Sequence, residues 1–307
     1  MADQSDILIE GPWRHRFVAA NGARFHVAKA TPPGDAPVAA PLVVLLHGFP
    51  QMWWTWRHQL PALAAAGYRA AAVDLRGTGA SDKPPQGYDM PTLARDVAGI
   101  IRSLGAEHAV VIGQGVGGTV AWSMPALQPS VTRAVGSLSA PHPLHMHRPW
   151  TWPRMLHSTA SRHLAFAQLP WFPERAATRG DLVERVLTEW GAPGWLDPEV
   201  AAVYRRAAQV PFASHSAMES LRWLVRSTPR PDGQRYLAAL RAAELRPTLQ
   251  VHGERDRAIP VTRARSEVGE PYTFRTVDGA GHFLTEEAPE RTTQILLDWL
   301  DGLTGTA

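Results

Sequence analysis

Short continuous apolar runs alternate with segments of helical spacing along most of this chain. Leu42–Leu46, Arg69–Val73, the apolar end of Glu107–Ile112 and Val131–Leu138 read as strands covered on both faces, because a strand with one wet face would alternate apolar and polar residues. Between them Trp53–Ala66, Pro91–Leu104 and Val116–Leu127 carry apolar positions at helical spacing, and Pro125 is expected to end or kink the last of these near its final turn. Arg16–Ala20 and Arg24–Ala28 are extended runs joined by Asn21-Gly22, a strong signal for an antiparallel hairpin. After a Pro/Ala-rich loop at Pro33–Pro41 the alternation begins, and it resumes late in the chain with strands at Thr248–His252 and Tyr272–Val277 and an amphipathic helix at Glu290–Leu303. The pattern predicts an α/β fold with a mostly parallel, doubly wound sheet.

From Pro141 to about Pro231 the character changes. This stretch is rich in Trp, Pro, His and Arg and contains amphipathic segments at Asp181–Trp190 and Pro198–Ala208. The expected organisation is an α/β core formed by residues 1–140 and 232–307, with residues 141–231 inserted as a helical cap. No repeats or low-complexity linkers interrupt this plan.

Composition narrows the partners. With 307 residues, 45% hydrophobic and 19% charged, the chain can bury a full core. Its net charge of +3 and pI near 9.6 arise from scattered arginines, not basic runs, which argues against nucleic acid and membrane as partners and for a small apolar substrate. There is no cysteine, hence no disulfide and no thiol nucleophile. Met1–Trp13 is polar and acidic without an apolar signal core, so a cytoplasmic location is expected. Monomer and homodimer are both open.

The chemistry is expected in the loops that follow strand ends, where ligand sites form in open α/β sheets. Gly113-Gln114-Gly115-Val116-Gly117-Gly118 has the frame of a nucleophile elbow, a strand turning sharply into a helix, with Gly115 at the nucleophile position. The same glycines match G-x-G-x-x-G, a dinucleotide cradle, but the rest of the chain argues against that reading. The elbow position commonly has φ above zero, a strain that glycine relieves, so Gly115 fits a chain that keeps the elbow backbone and leaves space above it for a water or a substrate atom. His47-Gly48-Phe49-Pro50 follows the first parallel strand; the backbone N–H groups of Phe49 and Val116 are the candidate oxyanion-hole donors. Asp256 and His282 follow the last two strands, and a carboxylate before a histidine, both after the elbow, is the α/β-hydrolase order. Thr119 and Ser123 are expected to face away from the site. His142, His145 and His147 lack an obvious carboxylate partner and read as loop and packing residues, so no metal or cofactor is implied. Trp150, Trp152, Trp171, Trp190, Trp195 and Trp223 read mostly as core, with some lining an apolar pocket.

Taken together, His47–Pro50, Asp74–Pro84, the elbow frame and the Asp256 and His282 loops resemble the epoxide hydrolase branch of the α/β-hydrolase superfamily, over nearly the whole chain. The resemblance implies that Asp256 and His282 are acid and base, with Phe49 and Val116 as backbone donors. In that branch an elbow aspartate opens the epoxide as a covalent ester, which His-activated water then hydrolyses; here that position is Gly115 and such a first half-reaction is closed. The branch also uses cap tyrosines on the epoxide oxygen. One of them falls near Trp223-Leu224, where no tyrosine stands, leaving Tyr204, Tyr236 and Trp223 as substrate-binding candidates against a plainer packing role.

Three functions fit these residues. One is a hydrolase in which His282 and Asp256 activate water against an epoxide or ester without a covalent intermediate. Another is a cofactor-free enzyme in which the same pair removes a proton from an acidic substrate, with lyase, isomerase or oxygenase outcomes. The third is a small-molecule binding protein.

Overall fold

The computed structural model describes residues 2–33, 40–147, 158–266, 268–269 and 271–304. Trp150, Trp152 and most of the loop at 33–41 lie outside them. The strands are β1 (Arg14–Ala20), β2 (Ala23–Ala30), β3 (Leu42–Leu46), β4 (Arg69–Val73), β5 (Ala109–Gln114), β6 (Thr132–Leu138), β7 (Thr248–Gly253) and β8 (Tyr272–Val277). They form one sheet in the order β1-β2-β4-β3-β5-β6-β7-β8. The opening hairpin turns through Asn21 and Gly22, both at positive φ, and β2 runs antiparallel to β4. All later neighbours are parallel. This is the mostly parallel α/β sheet expected from the alternation of elements.

Strand β3 shows why its sequence is apolar throughout. Val43 and Leu45 enter the core on one face of the sheet, and Leu42, Val44 and Leu46 enter the core on the other. Helices α1 (Gln59–Ala65), α2 (Met90–Ser103) and α3 (Val116–Leu127) connect the parallel strands. Helix α2 starts where the Asp89 carboxylate accepts the Thr92 N–H at 2.8 Å, with Pro91 in its first turn. One expectation needs correction: Trp53–Ala66 is not a single helix but a 3₁₀ turn, Trp53–Trp56, followed by α1. The Trp53 N–H is drawn to the Asp74 carboxylate at 2.9 Å, and the tight turn buries both Trp53 and Trp56 completely.

Between β6 and β7 the described chain forms α4 (Pro143–Met146), α5 (Thr159–Ala167), α6 (Phe172–Arg179), α7 (Leu182–Trp190), α8 (Pro198–Gln209), α9 (Ala213–Arg226) and α10 (Pro231–Ala242). Helices α5 to α9 pack on one another, whereas α10 returns to lie against α3. The chain closes with α11 (Leu284–Glu287) and α12 (Pro289–Thr304). Among the described residues no helix is long and apolar enough to cross a membrane.

A buried carboxylate pins the opening hairpin to this sheet. Asp74, just past β4, accepts from the N–H groups of Trp53 and Ala80, each at 2.9 Å, and from His26 Nδ1 at 2.8 Å. His26 Nε2 lies 2.9 Å from His15 Nδ1, and His15 Nε2 lies 3.0 Å from the Ile9 carbonyl oxygen. Burial pushes the Asp74 carboxyl up, but the His26 hydrogen bond and charge, with His47 nearby and the backbone donor, leave it below its ordinary value. Breaking one partner of such a buried set costs roughly 3 to 5 kcal/mol. Asp74→Asn is therefore expected to lower stability to denaturant by about that amount, measured as the shift in unfolding free energy at neutral pH.

Candidate active site

The site is built where β3, β5, β7 and β8 end at the same edge of the sheet. The β5–α3 turn places Gly115 at φ 55°, ψ −119°, outside the left-handed helical well and reached by L side chains only with strain. Close approach enforces the surrounding small residues. A Cβ on Gly113 would lie 2.0 Å from the Gly117 carbonyl oxygen, and one on Gly117 would lie 2.4 Å from that of Leu46. A Cβ on Gly48 would lie 2.8 Å from the Gln114 carbonyl oxygen, so the loop after β3 rests directly on the elbow. At Gly115 itself space is available. A Cβ there would sit 3.5 Å from His282 Nε2 and 3.6 Å from the Gly48 Cα, both ordinary contacts.

His282 and Asp256 meet beside this space, and both are 4% exposed. Asp256 Oδ1 accepts from the N–H groups of Ala258 and Ile259, each at 2.8 Å, and Oδ2 lies 2.9 Å from His282 Nδ1. Burial pushes the Asp256 carboxyl up, yet the adjacent His282 and His252 outweigh it and hold the group well below the ordinary carboxylate range. An ionised carboxylate can only accept, so His282 Nδ1 carries the proton and Nε2 presents its lone pair toward Gly115.

Two positioning groups were not anticipated. His252, the fifth residue of β7, places Nε2 3.0 Å from the same Asp256 oxygen and 2.7 Å from the Ile259 carbonyl oxygen. Glu287 receives the N–H groups of Gly281 and Phe283, at 2.7 Å each, and of Ala192 at 2.8 Å. It thereby holds the His282 loop on both sides and ties it to the segment after α7. The one sequence signal for His252 was its place at the end of the strand that leads into the Asp256 loop. For Glu287 there was none, because its ligands are backbone groups.

A buried polar chain runs under the elbow. Gln114 Nε2 donates to Gln51 Oε1 at 2.8 Å, and Thr285 Oγ1 donates to Gln114 Oε1 at 3.2 Å. Gln51 continues to Glu286 at 2.8 Å, which also receives Arg57 at 3.0 Å and the Tyr204 hydroxyl. The loop after β3 is fixed by His47. Its Nδ1 donates to the Gly48 carbonyl at 3.0 Å and its Nε2 accepts the Leu75 N–H at 3.2 Å, while burial holds its pKa below the ordinary value.

A cavity opens between the sheet edge and the inserted helices. Phe49, Met52, Leu75 and Val116 line it from below, and Ala177, Ala207, Ala213 and Leu221 from above. A smaller apolar pocket shares Phe49 and Leu221 and adds Trp190, whose ring stands edge-on to His282 at 5.1 Å between centroids. Neither the Phe49 N–H nor the Val116 N–H donates to a protein acceptor among the described residues.

The structure does not bring the other three substrate-binding candidates to this cavity. Tyr204 is fully buried and gives its hydroxyl to Glu286. Tyr236 bonds Ser123 on α3 at 2.8 Å, and Trp223 packs on Tyr236 and donates to Asp232 at 3.3 Å. The physical reason is that these amphipathic rings lie where α8, α9 and α10 meet the core, and their polar tips find partners there. Thr119 and Ser123 bond back along α3. His142 stacks edge-on against Trp122, His145 lies 3.0 Å from the Arg263 carbonyl and His147 3.3 Å from Thr228, three separate surroundings. Trp195 packs on Phe283, while Trp171 is exposed and stacks on Phe172.

Residues 41–289 match the family model described as alpha/beta hydrolase fold. Epoxide hydrolase A of Mycobacterium tuberculosis is 31% identical over 94% of this chain and 97% of its own length. The AB hydrolase superfamily protein YfhM of Bacillus subtilis is also 31% identical, over 93% of this chain and 97% of its own. Among solved structures, epoxide hydrolase A from Mycobacterium thermoresistibile superimposes with a TM-score of 0.80 at 28% identity, covering 94% of this chain and 98% of that one. The chain belongs to the α/β hydrolase fold family, and epoxide hydrolases are among its relatives.

Two expectations follow from the geometry. Asp256 has a depressed folded-state pKa, so its contribution is fully present above the unfolded value of about 3.9 and is lost as pH falls toward the lower folded value. Asp256→Asn should therefore destabilise by roughly 3 to 5 kcal/mol at pH 7 and by progressively less below about pH 4 in denaturant titrations. At Gly115 the space is open but the backbone is strained for any side chain. Gly115→Ala should fold and lose about 1 to 3 kcal/mol by the same measurement.

Proposed function

We propose that this chain is a hydrolase of small apolar substrates, epoxides or esters, in which His282 activates water and no covalent nucleophile takes part. The observation that carries the reading is the placement of His282, whose Nδ1 lies 2.9 Å from Asp256 Oδ2 and whose Nε2 lies 3.5 Å from where a Cβ on Gly115 would stand. A water held there would give its proton to Nε2 as it attacks. Residue 115 has no side chain to form an ester, so the elbow serves this chemistry through its backbone. The Phe49 and Val116 N–H groups would receive the developing oxyanion, Val116 with the added field of the first turn of α3. The apolar lining of the cavity favours an uncharged substrate, and the inserted helices would act as a cap that limits the entry of bulk water. The relatives named epoxide hydrolase support the substrate class in its broad form.

The test is multiple-turnover hydrolysis of aromatic and aliphatic epoxides and esters by the unmodified protein beside His282→Ala. General-base assistance is worth roughly 10² to 10⁴-fold, and the variant is expected to lose that factor in kcat. Turnover at the same rate in both proteins would sink the reading. Binding without turnover would redirect it to a small-molecule binding role.

A further inference from the structure

We propose that the outer face of the inserted helices is a docking surface for a lipid bilayer carrying anionic headgroups.

Folding leaves an unusual set of side chains in water there. Among the described residues the exposed large apolar side chains are Phe17, Leu169, Trp171, Phe172, Phe212 and Leu245, and the four from Leu169 to Phe212 stand on two turns of the inserted region. Phe212 is 73% exposed and Trp171 59%, more than any of the others. Both also have a left-handed backbone, with φ of 64° and 48°, a conformation that a bulky L residue adopts only with strain. Neither ring offsets that strain by burial. Trp171 stacks on Phe172 with centroids 4.1 Å apart, so the two rings present one broad apolar surface.

The two turns border one groove. Trp171, Arg175 and Arg179 line it from α6 and the residue before that helix, and Val210, Pro211 and Phe212 line it from the turn between α8 and α9. Ser214 belongs both to this groove and to the apolar cavity beneath the inserted helices, and Ala177 of α6 and Ala213 of α9 line that cavity as well. The face is therefore the outside of the cavity wall.

The charge on this face is positive. Arg175 and Arg179 are exposed, and among the described residues no carboxylate pairs with either guanidinium. Glu174, which also lines the groove, is already matched, with Oε1 2.7 Å from the buried Arg222 guanidinium and 3.7 Å from His215 Nδ1. Aromatic rings beside arginines suit a bilayer surface, where the rings settle at headgroup depth and the guanidinium groups meet phosphates. A second copy of this chain is a poorer occupant, since a two-fold contact through the patch would set Arg175 and Arg179 against their own counterparts. Along the sequence the arginines are scattered and the two turns lie far apart. Composition therefore argues against a membrane partner, whereas the folded face argues for one. Docked in this way, the protein holds the wall of its apolar cavity against the phase in which apolar molecules concentrate.

The experiment is co-sedimentation of the full chain with vesicles of phosphatidylcholine alone and of equal parts phosphatidylcholine and phosphatidylglycerol, at low and high salt. Expected is binding to the mixed vesicles that weakens as salt is raised. Trp171→Asn combined with Phe212→Asn should lower that partition coefficient roughly tenfold or more. The same variant should unfold at an unchanged or higher temperature, because asparagine tolerates a left-handed backbone. Leu245→Ser, at an exposed apolar residue between α10 and β7, should leave binding unchanged. Arg175→Gln combined with Arg179→Gln should weaken binding to the mixed vesicles by roughly fivefold per arginine. If the double asparagine variant does not fold, quenching of tryptophan emission by brominated acyl chains in the unmodified protein, reduced in Trp171→Phe, decides in its place. Absence of sedimentation with the mixed vesicles, or binding that the double asparagine variant leaves unchanged, overturns the proposal. So does a concentration-dependent dimer that the same variant dissociates, which would give the face to a second copy. None of these outcomes bears on the hydrolase reading, because no step here depends on it.

Discussion

Asp256 carries its charge almost out of reach of water, and the candidate site depends on how that charge is held. Desolvation alone would neutralise a carboxyl in this position. Two backbone N–H groups on one oxygen and two imidazoles on the other reverse the balance. The consequence reaches outward in order: Asp256 stays ionised, His282 is held in one tautomer, and its free nitrogen is aimed at the space over Gly115. His252 matters because it donates to the oxygen that orients His282. Glu287 matters because it fixes the backbone on either side of that histidine.

The β5–α3 turn has the strained geometry of an elbow at a residue with no side chain. Gly113, Gly117 and Gly48 are needed because a Cβ at any of them would strike backbone. Gly115 differs, since its surroundings would admit a Cβ while its φ and ψ would strain one. Beneath it, Gln114 is joined to Gln51 and Thr285, so the elbow, the loop after β3 and the turn after His282 are tied together by buried hydrogen bonds. On the proposed hydrolase reading, that tie fixes the Phe49 and Val116 N–H groups relative to His282, as stabilisation of a developing oxyanion would require.

Asp74 plays a comparable part far from the chemistry. It joins His26 of the opening hairpin to the Trp53 turn and the Ala80 loop, and through His15 to Ile9. The segment expected as a single helix from Trp53 to Ala66 starts on this anchor as a 3₁₀ turn, Trp53–Trp56, and α1 begins only at Gln59; nothing in the local spacing of apolar residues reports the anchor.

The chain's own pattern determined the strands, because a sheet covered on both faces demands unbroken apolar runs, as in Leu42–Leu46 and Arg69–Val73. It also determined the elbow turn and the order of carboxylate and histidine, since turns and motif order are local properties. Tertiary structure alone decided which polar tips face the cavity. Tyr204, Tyr236 and Trp223 look equivalent to pocket residues in a linear reading, yet Glu286, Ser123 and Asp232, distant or unremarkable in sequence, claim them. Tertiary structure likewise placed His252 and Glu287 around Asp256 and His282. A buried polar group is settled by whichever partner the fold brings within hydrogen-bond reach, and that distance is not a local property of the chain.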